Sequence, residues 1–341
     1  RRSSDLLCFY TYASARVFAP LFIAGAALLY FRELRAAGRY ALWPLGILVA
    51  CFLPAALHWI SPAGMARASY LLEFAPFDWL VNYLSYLGPD YLFFNGDPEI
   101  RHSLLNVGQL YFFELATLPM GIFFLVRRKR KEDALLGLWL ALYPIPAALT
   151  DPSHAIRSIV GVPLFALVSA CGLYQAVLFA RGRNRWLLGL VCTGMVAGSA
   201  VVCGQRYFVD YPGYAAVRWT YGMREVMHYA EAGSHRQVYI SNRIFLSHIF
   251  ALFYSAYPPE KYQRQPLRVQ QGNWRYNDFA FGRYHILPMW QIDARAQQCG
   301  DALLLALAGE ARQMAERTPY RLVHSVKVPD GRTAFEIYEC E

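Results

Sequence analysis

The sequence predicts a polytopic α-helical membrane protein of about six spans with an α/β domain at its C-terminal end, and three observations lead there. Of 341 residues, 56% are hydrophobic, 16% aromatic and only 17% charged, which is more apolar and less charged than globular chains of this size. Six stretches approach the roughly 20 apolar residues that a helix needs to cross a bilayer core: about 15–31, 41–60, 108–126, 134–150, 158–180 and 186–203. After about 203 the long apolar runs stop, and short alternating segments with turn residues take over. The chain thus divides into a membrane part, 1–203, and a soluble part, 204–341.

The connectors justify the spans and orient them. Loops 32–40, 127–133 and 181–185 together hold eleven Arg and Lys residues, whereas connector 61–107 holds only Arg67 and Arg101, and 150–157 only Arg157. Basic loops stay on the cytoplasmic side. The three basic loops are therefore read as cytoplasmic, and the start of the chain, the other two connectors and everything after about 204 as extracytoplasmic. Arg1 and Arg2 run against this parity. The same distribution accounts for the net charge of +9 without a nucleic-acid surface. The chain opens on Arg1 with no signal-peptide pattern, so it is expected to be a fragment.

Within 61–107, the run from Ala66 to Leu87 is rich in Tyr, Leu, Phe and Trp, with Glu73, Asp78, Asn82 and Ser85 near one helical face. Such a helix can lie in the interface plane or pack as a re-entrant segment, and Pro76 is expected to start or kink it. In the soluble part the pattern predicts a helix over 213–232, a strand from Arg236 to Ser241 and a helix near 245–256. A strand in YHILPM, a helix around 303–316 and a terminal hairpin about Pro329-Asp330-Gly331 follow. The seven cysteines match no metal spacing. Cys51, Cys171 and Cys192 sit in apolar runs as small hydrophobes, while Cys299 and Cys340 can pair if the domain faces an oxidising compartment. The domain carries no phosphate-binding Gly-rich loop, metal signature or nucleophile elbow.

Polar residues at the predicted outer ends of the spans are the candidates for chemistry, because ionisable groups near hydrocarbon are costly. Tyr12 and Arg16, with Tyr10, sit at the end of the first span, where an aromatic belt with a snorkelling Arg is the plain alternative. NGDPEIRH presents Asp97, Glu99, Arg101 and His102 on a turn built by Asn95, Gly96 and Pro98, or else forms a solvated loop. Glu114 is the one carboxylate within a predicted span, facing a cavity or standing as a water-reachable structural group. TDPSHAIR reads as a helix start, with Asp151 as N-cap, Pro152 at the first helical position, and His154 and Arg157 on the first turn. Free amides, helix dipole and Arg would there hold an anion such as a lipid phosphate. A capped helix with a snorkelling Arg explains the same residues.

These segments together resemble a known family. YTYASARVFAPL, FFNGDPEIRH with LYFFELATLPMGIFFLVRRKR, TDPSHAIRSIVGVPLFAL, and YGMREVMHYA with VYISNR are similar to the C-terminal half of bacterial GT-C glycosyltransferases of the protein mannosyltransferase and aminoarabinose transferase type, over about residues 10–255. The resemblance implies a GT-C-like fold in a bacterial inner (plasma) membrane. It also implies transfer of a sugar, with inversion, from a polyprenyl-phosphate carrier to a lipid, glycan or protein hydroxyl on the outer face. The family's carboxylate base lies in a first outer loop, which corresponds to a position upstream of residue 1. No catalytic residue is therefore assigned, and the fragment alone is expected to be inactive. Arg16, Arg101, His102, His154 and Arg157 are the expected lipid-phosphate and substrate-binding residues, and Tyr12, Asp97, Glu114 and Asp151 the expected cavity-lining ones. No metal ligand is assigned and no cofactor is certain, a divalent metal being left open; nucleic acid is not an expected partner. A non-catalytic lipid-linked sugar flippase or an assembly scaffold would use the same Arg-lined face. A secondary transporter fits less well, since the charges gather at the outer face rather than the midplane.

Overall fold

The computed structural model describes residues 12–61, 76–150, 152–180, 183–264, 279–297 and 299–340. Contacts divide the chain into two compact units, Arg1–Arg206 and Tyr207–Glu341, a boundary a few residues beyond the change in composition.

The first unit is helical: α1 (Ala13–Leu29), α2 (Phe31–Ala37), α3 (Leu42–Trp59), α4 (Pro76–Ser85), α5 (Glu114–Arg128), α6 (Lys131–Leu142), α7 (Ile145–Ala148), α8 (Val162–Phe179) and α9 (Arg183–Gln205). Helix forms at each of the six predicted places, and among the described residues three stretches are both long and apolar enough to cross a membrane: Phe31–Trp59, Ile159–Phe179 and Asn184–Ala215. Ser14–Leu29 is a shorter apolar helix. On α3, large apolar side chains such as Leu42, Trp43, Leu45, Ile47 and Leu57 are exposed. A row of this kind is costly in water and stable against lipid.

Two predicted spans are corrected. The third was placed at 108–126, yet α5 begins only at Glu114 and has 15 residues, about 22 Å of helix against a core of roughly 30 Å. The reason is Glu114 itself, whose carboxylate accepts the Tyr111 N–H at 2.9 Å and so fixes the helix start. The fourth, placed at 134–150, breaks after the 12 residues of α6, because Pro144 has no N–H to continue the ladder. Between α5 and α6 the basic loop folds tightly: Arg128 donates to Asp133, at 2.8 Å from Nε, and the Asp133 carboxylate also accepts the Arg130 N–H at 3.2 Å.

The core of this unit gathers Tyr86, Tyr91, Leu118, Tyr143, Leu164 and Phe165. α5 and α8 touch through Gly121 and Gly172, where a Cβ would fall 2.0 Å from the Val168 carbonyl and 2.0 Å from the Thr117 carbonyl. Only glycine allows that approach, and beside it Thr117 and Ser169 share a 2.5 Å hydrogen bond of the kind that joins helices away from water. The predicted helix in 66–87 is described from Pro76 onward, with Pro76 at its first position; Glu73 lies outside the described residues. Trp79 and Tyr83 of α4 pack on the core, while Phe77, Leu80, Val81 and Leu84 remain exposed.

The second unit is a three-layer α/β domain. After α10 (Tyr211–Ala215) and α11 (Met223–Ala232) come β1 (Gln237–Ser241), α12 (Ser247–Tyr254), α13 (Pro259–Arg264), β2 (Phe279–Phe281), β3 (Tyr284–Leu287), α14 (Met289–Ala296), β4 (Ala302–Leu307), α15 (Arg312–Ala315), β5 (Tyr320–Lys327) and β6 (Thr333–Cys340). The sheet runs β2-β3-β1-β4-β6-β5. β1 is parallel to β3 and β4, and the outer pairs are antiparallel. The helix predicted over 213–232 is interrupted, because Thr220 and Gly222 take positive φ of 54° and 92°, and α11 starts only after them.

The helix predicted around 303–316 is a strand over most of its first half. ALLLAL is favourable for helix by residue type, but it is short and stands between Asp301 and Gly309. In the sheet it is covered on both faces: Leu303 and Leu305 join the core under α11 and α12, Leu304 and Ala306 the one under α14 and α15. A central strand buried on both sides reads as an unbroken apolar run. Cys299 and Cys340 form a disulfide with Cα atoms 6.1 Å apart, beside the β4–β6 pairing.

Candidate functional site

Two of the four places singled out by sequence, NGDPEIRH and TDPSHAIR, the latter through its SHAIR part, meet in the first unit. A π-helical turn, Asp90–Phe94, leads into the first of them. Gly96 then takes φ +69° against the Val107 carbonyl, a close approach under positive φ that suits glycine. This folds Asp97 inward until its side chain is only 2% exposed. One carboxylate oxygen, Oδ1, accepts the Glu99 N–H at 2.8 Å. The other, Oδ2, accepts the Ala155 N–H at 2.7 Å, closing a contact between loops 58 positions apart in the chain. Ser103 Oγ donates to the Asp97 carbonyl at 2.5 Å.

Two imidazoles face the same oxygen. His102 Nδ1 lies 3.2 Å and His154 Nδ1 3.8 Å from Asp97 Oδ2, both rings largely buried, with centroids 4.7 Å apart. One carboxylate oxygen and two ring nitrogens therefore lie within 4.8 Å of one another, a group among the described residues with the donor types to hold a metal ion. The floor is aromatic. Tyr86 is fully buried, and its hydroxyl accepts the His154 N–H at 2.9 Å, while Tyr143 donates to the Tyr86 carbonyl. The Tyr91 hydroxyl meets Ser158 Oγ at 2.6 Å. Burial pushes the Tyr91 hydroxyl well above its ordinary range, with the Asp97 charge adding to the effect, so it stays neutral.

Other expected site residues fall elsewhere or in changed roles. Arg101 forms a two-pronged ion pair with Glu99, both contacts at 3.1 Å, so its charge is matched within its own loop. Arg16 lies over the Trp59 ring at 5.7 Å and joins the ends of α1 and α3. Tyr12 is exposed beside α1, and Glu114 is buried at the start of α5, where it accepts the Tyr111 N–H. Asp151 and Tyr10 lie outside the described residues.

The helix expected to begin at Asp151 is corrected. Residues 152–158 form bends and turns, Ser153 has φ +54°, and α8 begins only at Val162 after the 3-10 turn Ile159–Gly161. The His154 and Ala155 amides, expected to face an anion, donate to Tyr86 and Asp97 instead. Arg157 stands half-buried in the turn after them. The residues that sequence reasoning passed over are Tyr86, Tyr91 and Ser158. An aromatic run about Gly88-Pro89 was the signal for the two tyrosines.

No protein-family model matches this chain, and neither a curated protein nor a solved structure is found to be similar to it.

Proposed function

We propose that this chain is the C-terminal part of a membrane glycosyltransferase, which passes a sugar from a polyprenyl-phosphate carrier to an acceptor hydroxyl on the outer face of the membrane. The observation that carries the reading is the meeting of NGDPEIRH and SHAIR at Asp97. These belong to two of the four segments that carry the resemblance to GT-C enzymes, and they come together in the loops that precede α5 and α8. Both helices run from there towards loops rich in Arg and Lys, which the positive-inside rule assigns to the cytoplasm. In this reading all six helical places lie in the membrane, α5 and the broken α6–α7 pair as shorter helices packed among the longer spans, and the C-terminal unit lies outside, where a disulfide such as Cys299–Cys340 persists.

The carrier's phosphate would sit over the His102 and His154 rings, with Arg157 as a cation on the turn that follows His154. Arg stays protonated and grips phosphate oxygens in two places, which Lys does not. The test compares the detergent-purified protein's affinity for a short-chain polyprenyl phosphate with that for the uncharged polyprenol. Preference for the phosphate is expected, reduced by Arg157→Lys and reduced further by Arg157→Ala, by roughly ten- to hundredfold for one charge-assisted contact. Equal affinities for phosphate and alcohol would overturn the reading.

A further inference from the structure

Asp97 Oδ2 is a point on which three groups converge: the Ala155 N–H at 2.7 Å, His102 Nδ1 at 3.2 Å and His154 Nδ1 at 3.8 Å. A single His beside an Asp is an ordinary structural pair. Two rings that turn the same kind of nitrogen to one buried carboxylate oxygen, from loops far apart in sequence, form a donor set. A tetrahedral zinc ion with bonds of about 2.0–2.1 Å keeps neighbouring donors roughly 3.3 Å apart. The His102 to Asp97 separation already matches, the His154 to Asp97 separation needs about half an ångström, and the two ring nitrogens, within 4.8 Å of each other, close by rotation of the imidazole side chains.

The surroundings brace two of the three donor residues. Asp97 Oδ1 is tied to the Glu99 N–H, and the backbone of His154 is tied to Tyr86. Outer contacts of this kind hold ligands in place. Two nitrogens with one carboxylate suit a divalent transition ion, whereas Mg and Ca prefer shells made of oxygen.

We propose that Asp97, His102 and His154 bind one divalent transition-metal ion of the zinc class, through Asp97 Oδ2 and the two Nδ1 atoms. A fourth position stays open to water or an anionic oxygen, as in zinc sites with three protein ligands. Each Nδ1 must be free of its proton to coordinate, so both rings carry the remaining proton on Nε2, and any proton that His102 shares with Asp97 is released to solvent. The assignment does not rest on sugar transfer: it concerns the ion alone, and it stands or falls whatever the carrier proves to be.

The test uses the full chain in detergent, stripped with a chelator and then given zinc alone. One zinc per chain is expected, with an X-ray absorption spectrum of two imidazoles, oxygen and no sulfur, and with no displacement by excess magnesium. His102→Ala and His154→Ala should each weaken binding by at least about a hundredfold, the upper end of what mere supporting residues cost, while His248→Ala in α12 should leave it unchanged. Absence of bound zinc in the wild type, a sulfur-containing shell, or zinc retained by both His102→Ala and His154→Ala would overturn the proposal. If either alanine variant fails to fold, the wild-type stoichiometry and spectrum decide on their own.

Discussion

Removing the Asp97 carboxylate tests whether the two loops are held together at that point. Asp97→Ala leaves two backbone amides without their acceptor, those of Glu99 and Ala155, which now donate at 2.8 and 2.7 Å. A buried donor left unsatisfied costs about 1–3 kcal/mol. Water entering the vacated space lowers each figure, so a total of about 3 kcal/mol is expected. Asp97→Asn keeps one oxygen and sets an NH2 group against the second amide, so it should cost about half as much. At about 2–4 °C per kcal/mol for a chain of this order of size, the alanine variant should melt roughly 6–12 °C lower in detergent, with the asparagine variant between it and the wild type. Hydrogen exchange at the Ala155 amide should quicken in the same order. An unchanged melting temperature together with unchanged Ala155 exchange in Asp97→Ala would refute the idea that this carboxylate joins the loops.

Three other outcomes are expected. Gly172→Val drives a Cβ to 2.0 Å from the Thr117 carbonyl, so α5 and α8 must separate, at about 1–3 kcal/mol; a variant as heat-stable as the wild type would show that the helices do not meet there. Cys340→Ser, or reduction of the wild type, frees a link across 41 positions and should lower the stability of the C-terminal unit by about 4 kcal/mol on the chain-entropy estimate, read by urea unfolding; no shift in midpoint would mean that the bond does not form in the folded protein. Alkaline phosphatase fused after Glu341 should be active in cells and a cytoplasm-only fluorescent fusion dark, with the reverse result contradicting the six-span reading.

Much of the architecture was legible in the sequence, because burial in lipid and burial in a sheet leave different periods. Long apolar runs marked the helices of the first unit, and turn residues about Asp330 marked the β5–β6 hairpin. ALLLAL was misread because a central strand covered on both faces loses the alternation that identifies strands. The start of the third span was misplaced because it was measured by hydropathy alone, while the Glu114 side chain's reach back to Tyr111 sets where helix begins. At the site, Asp97 and His102 stood together in one short motif. Their meeting with His154 was not legible, since it depends on Gly96, on the Tyr86 floor and on an amide of Ala155 that local rules gave to a helix end.

The most direct test of the central claim, that the Asp97 loops receive a polyprenyl-phosphate carrier, is photo-crosslinking with a diazirine-bearing polyprenyl phosphate followed by mapping of the labelled peptides. The account predicts labelling concentrated in the NGDPEIRH and SHAIR segments, suppressed by unlabelled polyprenyl phosphate and not by the matching polyprenol. Labelling spread along the exposed apolar faces of α3 and α9, with both competitors equally effective, would contradict it.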